Sequence, residues 1–156
     1  MRTSIYKAFP RVKLPNRKWP DQSINKIPQW CSIDLRDANQ ALPKPISIDK
    51  KIMLFSYLVT LGFKQIEVGT PGRSTEDELF IRRLIEDNLI PDDVTIQVTT
   101  QLKEKAIDTT LNTVKGAKNV ILNLCQTTSC AMSRDIWAME QNEFIGHIVS
   151  KIEYAK

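Results

Sequence analysis

No apolar run in this chain of 156 residues approaches the roughly 20 residues that a membrane-spanning helix requires. The opening residues also lack the continuous apolar core of a secretory signal. Cysteine is scarce. Cys31, Cys125 and Cys130 form an odd set with neither metal-type spacing nor a Cys-x-x-Cys pair. Free, inert thiols in a reducing compartment are therefore expected, which points to the cytoplasm. Histidine is scarcer still: His147 stands alone, late in the chain, and is expected at a surface or interface rather than on a metal. There is no low-complexity segment and no short-period repeat.

Composition is that of one globular domain. Hydrophobic content of 42% and charged content of 26% are ordinary, and the length allows a core that needs no disulfide staples. Charge is unevenly placed. Residues 1–29 carry seven basic side chains against Asp21 alone, while the remainder holds fifteen basic against seventeen acidic. Such an arm can contact polyanions; Trp19 reads as its anchor. Neither nucleic acid nor membrane is expected as a partner. The first dozen residues are free of acids and carry Arg2, Lys7 and Arg11, which leaves a short mitochondrial presequence as the alternative to a cytoplasmic start.

From Trp30 onward, four strand-like runs alternate with four helix-like runs, the pattern of consecutive βα units on a parallel sheet. The strands are expected at Cys31–Arg36, Gln65–Val68, Thr95–Thr99 and Asn119–Cys125. A helix over Asp49–Leu61 should end at Gly62 as a C′ glycine, and one over Leu102–Lys115 at Gly116. Between them, a helix capped by Ser74 or Thr75 carries Glu76, Asp77 and Glu78 near its positive end, with Ile81, Leu84 and Ile85 on one face. The third helix repeats Ala106, Ile107, Leu111 and Val114. The last repeats Phe144, Ile145, Ile148, Val149 and Ile152. Trp30 is expected as a core anchor.

The run Trp30-Cys31-Ser32-Ile33-Asp34-Leu35-Arg36-Asp37-Ala38-Asn39-Gln40 carries the chemistry. Asp37 is a hard oxygen ligand suited to Mg²⁺ or Mn²⁺ and acceptable to Zn²⁺. Arg36 can donate two parallel hydrogen bonds to a carboxylate or stabilise an enolate oxygen. Glu67, in the second strand, shares the same mouth if it points inward. Read from the residues alone, an ordinary ion pair of Arg36 and Asp37 at a strand end is the favoured reading, because Arg-Asp pairs are common.

The run resembles the Asp-Leu-Arg-Asp-Gly-Asn-Gln signature of the 2-isopropylmalate synthases. The resemblance extends from about Lys13 to Lys156. It includes Asn16-Arg17-Lys18-Trp19-Pro20-Asp21, Gly62-Phe63-Lys64-Gln65-Ile66-Glu67-Val68-Gly69, Pro91-Asp92-Asp93-Val94-Thr95-Ile96-Gln97-Val98 and Thr100-Gln101. It implies an α/β fold in which four βα units form half of a (β/α)8 TIM barrel: an arm over 1–29, then an incomplete catalytic domain over 30–156. It implies condensation of acetyl-CoA with 2-oxoisovalerate, an oxoacid, in leucine biosynthesis, with a divalent metal. Asp37 would bind the metal. Arg36 would bind and polarise the oxoacid, with Glu67 and Asn123 at the substrate.

Departures fall in the same places. Ala38 stands where the family has glycine, and its methyl would crowd a backbone of positive φ. Asn123 takes the place of a histidine and Cys125 that of a tyrosine. The loop Thr70-Pro71-Gly72-Arg73-Ser74 differs from Phe-Pro-x-Ala-Ser. The family's His-x-His metal pair and catalytic glutamate are not in the sequence. The chain is thus expected to need a homo-oligomeric partner or a complementary half-barrel, its sheet edges and an apolar concave face otherwise standing open. The alternative is a non-catalytic remnant or a binding module that associates with a full-length synthase.

Overall fold

A computed structural model describes residues 27–156. The basic arm with Trp19 lies outside them up to position 26, as does the side chain of Cys130. Four parallel strands form one sheet in sequence order: β1 (Cys31–Ser32), β2 (Gln65–Gly69), β3 (Thr95–Gln101) and β4 (Val120–Cys125). Five helices accompany them: α1 (Ile48–Thr60), α2 (Thr75–Glu86), α3 (Glu104–Val114), α4 (Cys130–Trp137) and α5 (Gln141–Tyr154). Each strand pairs with the next in the parallel sense. Four such βα units in strict order are half of a TIM barrel, as the family resemblance implies.

The two faces of the sheet differ. Ile66, Val68, Ile96 and Val98 are fully buried in one cluster with Phe55, Leu58, Phe80, Ile81 and Leu84 of α1 and α2. This is the core, made where helices cover a parallel sheet. The opposite, concave face carries Gln65, Glu67, Gln97, Thr99 and Asn123 in register, linked by side-chain hydrogen bonds. The open apolar face expected from the sequence is therefore a polar one. The apolar residues of the strands face the helices instead.

Local chemistry accounts for the element ends. Gly62 follows α1 with φ of +93°, a conformation that costs glycine nothing. Ser74 caps α2, its Oγ accepting from the Asp77 backbone N–H at 3.2 Å. Three sequence expectations are corrected. The first strand ends at Ser32, and Asp34–Ala38 form a π-helical turn instead, held by Asp37 N–H donating to the Ile33 carbonyl at 2.9 Å. Trp30 is 72% exposed, not a core anchor, because it precedes the sheet rather than lying in it. In α3, Thr110 and Thr113 are buried while Leu111 is exposed. The threonine hydroxyls donate to the carbonyls of Ala106 and Thr109, so they enter the core with their polarity satisfied.

Candidate active site

The carboxyl ends of β1 to β4 open onto one mouth, the place where a βα barrel builds its site. The π-helical turn after β1 supplies Arg36 and Asp37, buries Leu35 as its anchor, and thereby turns the guanidinium inward. Turns of this kind recur at functional sites. Arg36 Nη1 donates to Asp37 Oδ1 at 2.6 Å, and Nη2 lies 3.0 Å from Glu67 Oε2. Glu67 does point inward, and it is almost wholly buried. Its other oxygen accepts from the Thr99 hydroxyl, and Thr99 in turn accepts from Asn123 Nδ2 at 3.0 Å.

A single relay thus joins Asp37, Arg36, Glu67, Thr99 and Asn123 across all four units. The structure brings together every residue that the sequence singled out for the site. Thr99 is the member that sequence reasoning missed. The available signal was its position two residues after Gln97 on the face that Glu67 occupies. Burial alone would lower the basicity of Arg36, but the hydrogen bond and charge of Glu67, with Asp37 behind it, hold its pKa above the ordinary value. The guanidinium is a fixed cation. Its Nε is buried without a partner in the described structure.

Ala38 fits without strain, since Asn88 and Ala138 are the non-glycine residues with positive φ among those described. Deeper in the concave face, burial and then the charge of Glu67 raise the pKa of the Cys31 thiol. Cys125 is exposed at the mouth, and both are free thiols. The ring of His147 lies 5.6 Å from that of Trp137, where α4 meets α5.

Beside the relay, Lys51 of α1 is 1% exposed and pairs with Asp77 Oδ1 at 2.6 Å. The second oxygen of Asp77 accepts from the Thr70 backbone N–H at 2.9 Å. This buried pair fixes the loop after β2 at the mouth. A helical lysine reads as solvent-facing in sequence. The overlooked signal is that Lys51, Phe55 and Leu58 share one helical face.

Two adjoining cavities open here, of about 430 Å³ and 410 Å³, sharing Arg36, Gln40, Thr70 and Arg73. Among the described residues, no group of three His, Cys, Asp or Glu side chains is placed to hold a metal ion. Asp37 offers one carboxylate, already tied to Arg36. The described residues do not make a metal site by themselves.

A parallel βα sheet of half-barrel form, with a charged relay across its carboxyl mouth, defines the class. Residues 27–156 match the HMGL-like family, and the chain belongs to it. It is 49% identical over 138 residues to a 2-isopropylmalate synthase of Clostridium acetobutylicum, covering 88% of this chain and 25% of that relative. Synthases of the same name from Parafrankia sp. and Rhodospirillum rubrum are each 46% identical over 136 residues, covering 87% of this chain and 24% of theirs. The chain spans about a quarter of the length of the curated relatives it matches. Among the described residues, no helix is long and apolar enough to cross a membrane.

Proposed function

We propose that this chain supplies the amino-terminal units of a 2-isopropylmalate synthase barrel, the part that binds the oxoacid. The observation that carries the reading is Arg36, held inward between Asp37 and the buried Glu67 at the strand ends. In the reaction, a carbanion from the acetyl methyl group of acetyl-CoA attacks the keto carbon of 2-oxoisovalerate. Water then hydrolyses the thioester, releasing free CoA and leaving a hydroxy acid with two carboxylates. Arg36 binds the oxoacid carboxylate and stabilises the alkoxide formed at the keto oxygen. Glu67 and Thr99 hold the guanidinium in place, and Asn123 reaches the mouth through Thr99.

Where a divalent metal binds, Asp37 would contribute one ligand, with the others from outside the described residues, and the ion would supply Lewis-acid chemistry at the keto oxygen. Strands β1 and β4 are the edges of the described sheet. Further strands, from a second copy or a complementary half-barrel, complete the site by pairing there. The test is thiol release from acetyl-CoA when the remaining barrel of a related synthase is added. Arg36→Gln should lower it at least about 100-fold, as loss of a charged group aimed at the developing oxyanion does. Activity surviving that change would overturn the assignment.

A second reading has one observation in its favour. Each ion of the relay already has a partner within it, with Asp37 on Arg36 and Glu67 on both Arg36 and Thr99. That self-sufficiency suits a non-catalytic module that associates with a full-length synthase. Co-purification with an intact synthase, without any gain of thiol release, distinguishes it.

A further inference from the structure

The larger cavity is lined by three cations, Arg36, Arg73 and Lys103, and by no carboxylate. They are not equivalent. Arg36 is neutralised by Asp37 and Glu67. The side chains of Arg73 and Lys103 have neither an ion pair nor a hydrogen bond among the described residues. The uncompensated positive charge of the cavity therefore lies on Arg73 and Lys103 rather than on the oxoacid arginine.

The fold puts the two free cations there together. The loop after β2 packs on the first turn of α3 so closely that a Cβ at Gly72 would stand 2.7 Å from the Ala106 carbonyl oxygen. Arg73 follows Gly72, and Lys103 immediately precedes α3. Arg73 also belongs to the loop segment that departs from the synthase pattern.

We propose that Arg73 and Lys103 form a second anion subsite, which takes the second carboxylate of a 2-hydroxy dicarboxylate. This deepens the function proposed above and rests on it. Condensation turns a substrate with one carboxylate into a product with two, the new one arising from the thioester carbonyl when water displaces CoA. A cavity with one compensated and two free cations suits the product better than the oxoacid. Arg73 and Lys103 are then positioning residues for the dicarboxylate, and the site retains its product.

The test measures dissociation constants of the full chain for 2-oxoisovalerate and for 2-isopropylmalate, by ligand-observed NMR at fixed ionic strength. The dicarboxylate should bind about tenfold tighter, the worth of one charge-assisted contact. Arg73→Ala and Lys103→Ala, both changes at exposed positions, should each remove most of that advantage while leaving oxoacid binding within about twofold. Arg36→Gln should weaken both ligands. Inorganic phosphate should compete with the dicarboxylate and not with the oxoacid.

Equal constants in the unmodified chain, or equal weakening of both ligands by Arg73→Ala, would overturn the subsite and leave the role of Arg36 standing. If Arg36→Gln changes neither constant, or neither ligand binds, the underlying reading falls and the subsite with it.

Discussion

Arg36 is the hinge of the site because it alone touches both carboxylates of the relay. Glu67 is buried against it, so Glu67→Gln removes a charged acceptor from both the guanidinium and the Thr99 hydroxyl. The expected cost is about 1–3 kcal/mol of folding stability, read as a lower urea midpoint with unchanged slope. Cys31 offers a second check. Its thiol pKa is raised, by burial first and by Glu67 second, so its thiolate is disfavoured. At neutral pH its alkylation should lag that of the exposed Cys125, and equal rates would contradict the placement. The protonated thiol is the form the fold prefers. Its contribution to stability is therefore complete below the ordinary thiol pKa and is lost as pH rises through the higher folded value. At this scale the sequence was informative where a motif concentrates chemistry, as at Arg36, Asp37 and Glu67. It was silent on Thr99, whose role comes from its neighbour across the sheet.

Among the elements, the loop after β2 depends on a lysine whose charge suggests solvent although helical spacing sets it with Phe55 and Leu58. Lys51→Ala leaves the Asp77 carboxylate without its cation and opens a gap beside Phe80, over whose ring the ammonium lies at 5.6 Å. Loss of about 3 kcal/mol is expected, with Lys51→Met, which fills the gap, costing less. Thermal unfolding of the two variants checks both magnitudes. The order of strands and helices was legible because apolar periodicity and turn residues agree along most of the chain. Two elements were not. The first strand shortens because the π-helical turn that aims Arg36 inward has no composition of its own. Helix α4 ends on Ala138 in the left-handed conformation, at φ of +51°, with no glycine to announce a stop.

Among the described residues, α5 presents Ile145, Val149 and Ile152 as an exposed stripe, and β4 is an edge of the sheet. Helical spacing foretold the stripe but not its exposure among the described residues. Such surfaces favour association. Light scattering over a dilution series should give a mass above that of one chain, and Val149→Glu should shift it downward. A sharp monomer at low micromolar concentration would contradict this.

The central claim is that Arg36 binds an oxoacid at the carboxyl mouth of the sheet. Saturation-transfer NMR with 2-oxoisovalerate tests it most directly, on the unmodified chain and on Arg36→Gln. The account predicts transfer to the ligand methyl groups that disappears in the variant while its fold persists. Transfer of undiminished intensity in Arg36→Gln would contradict it.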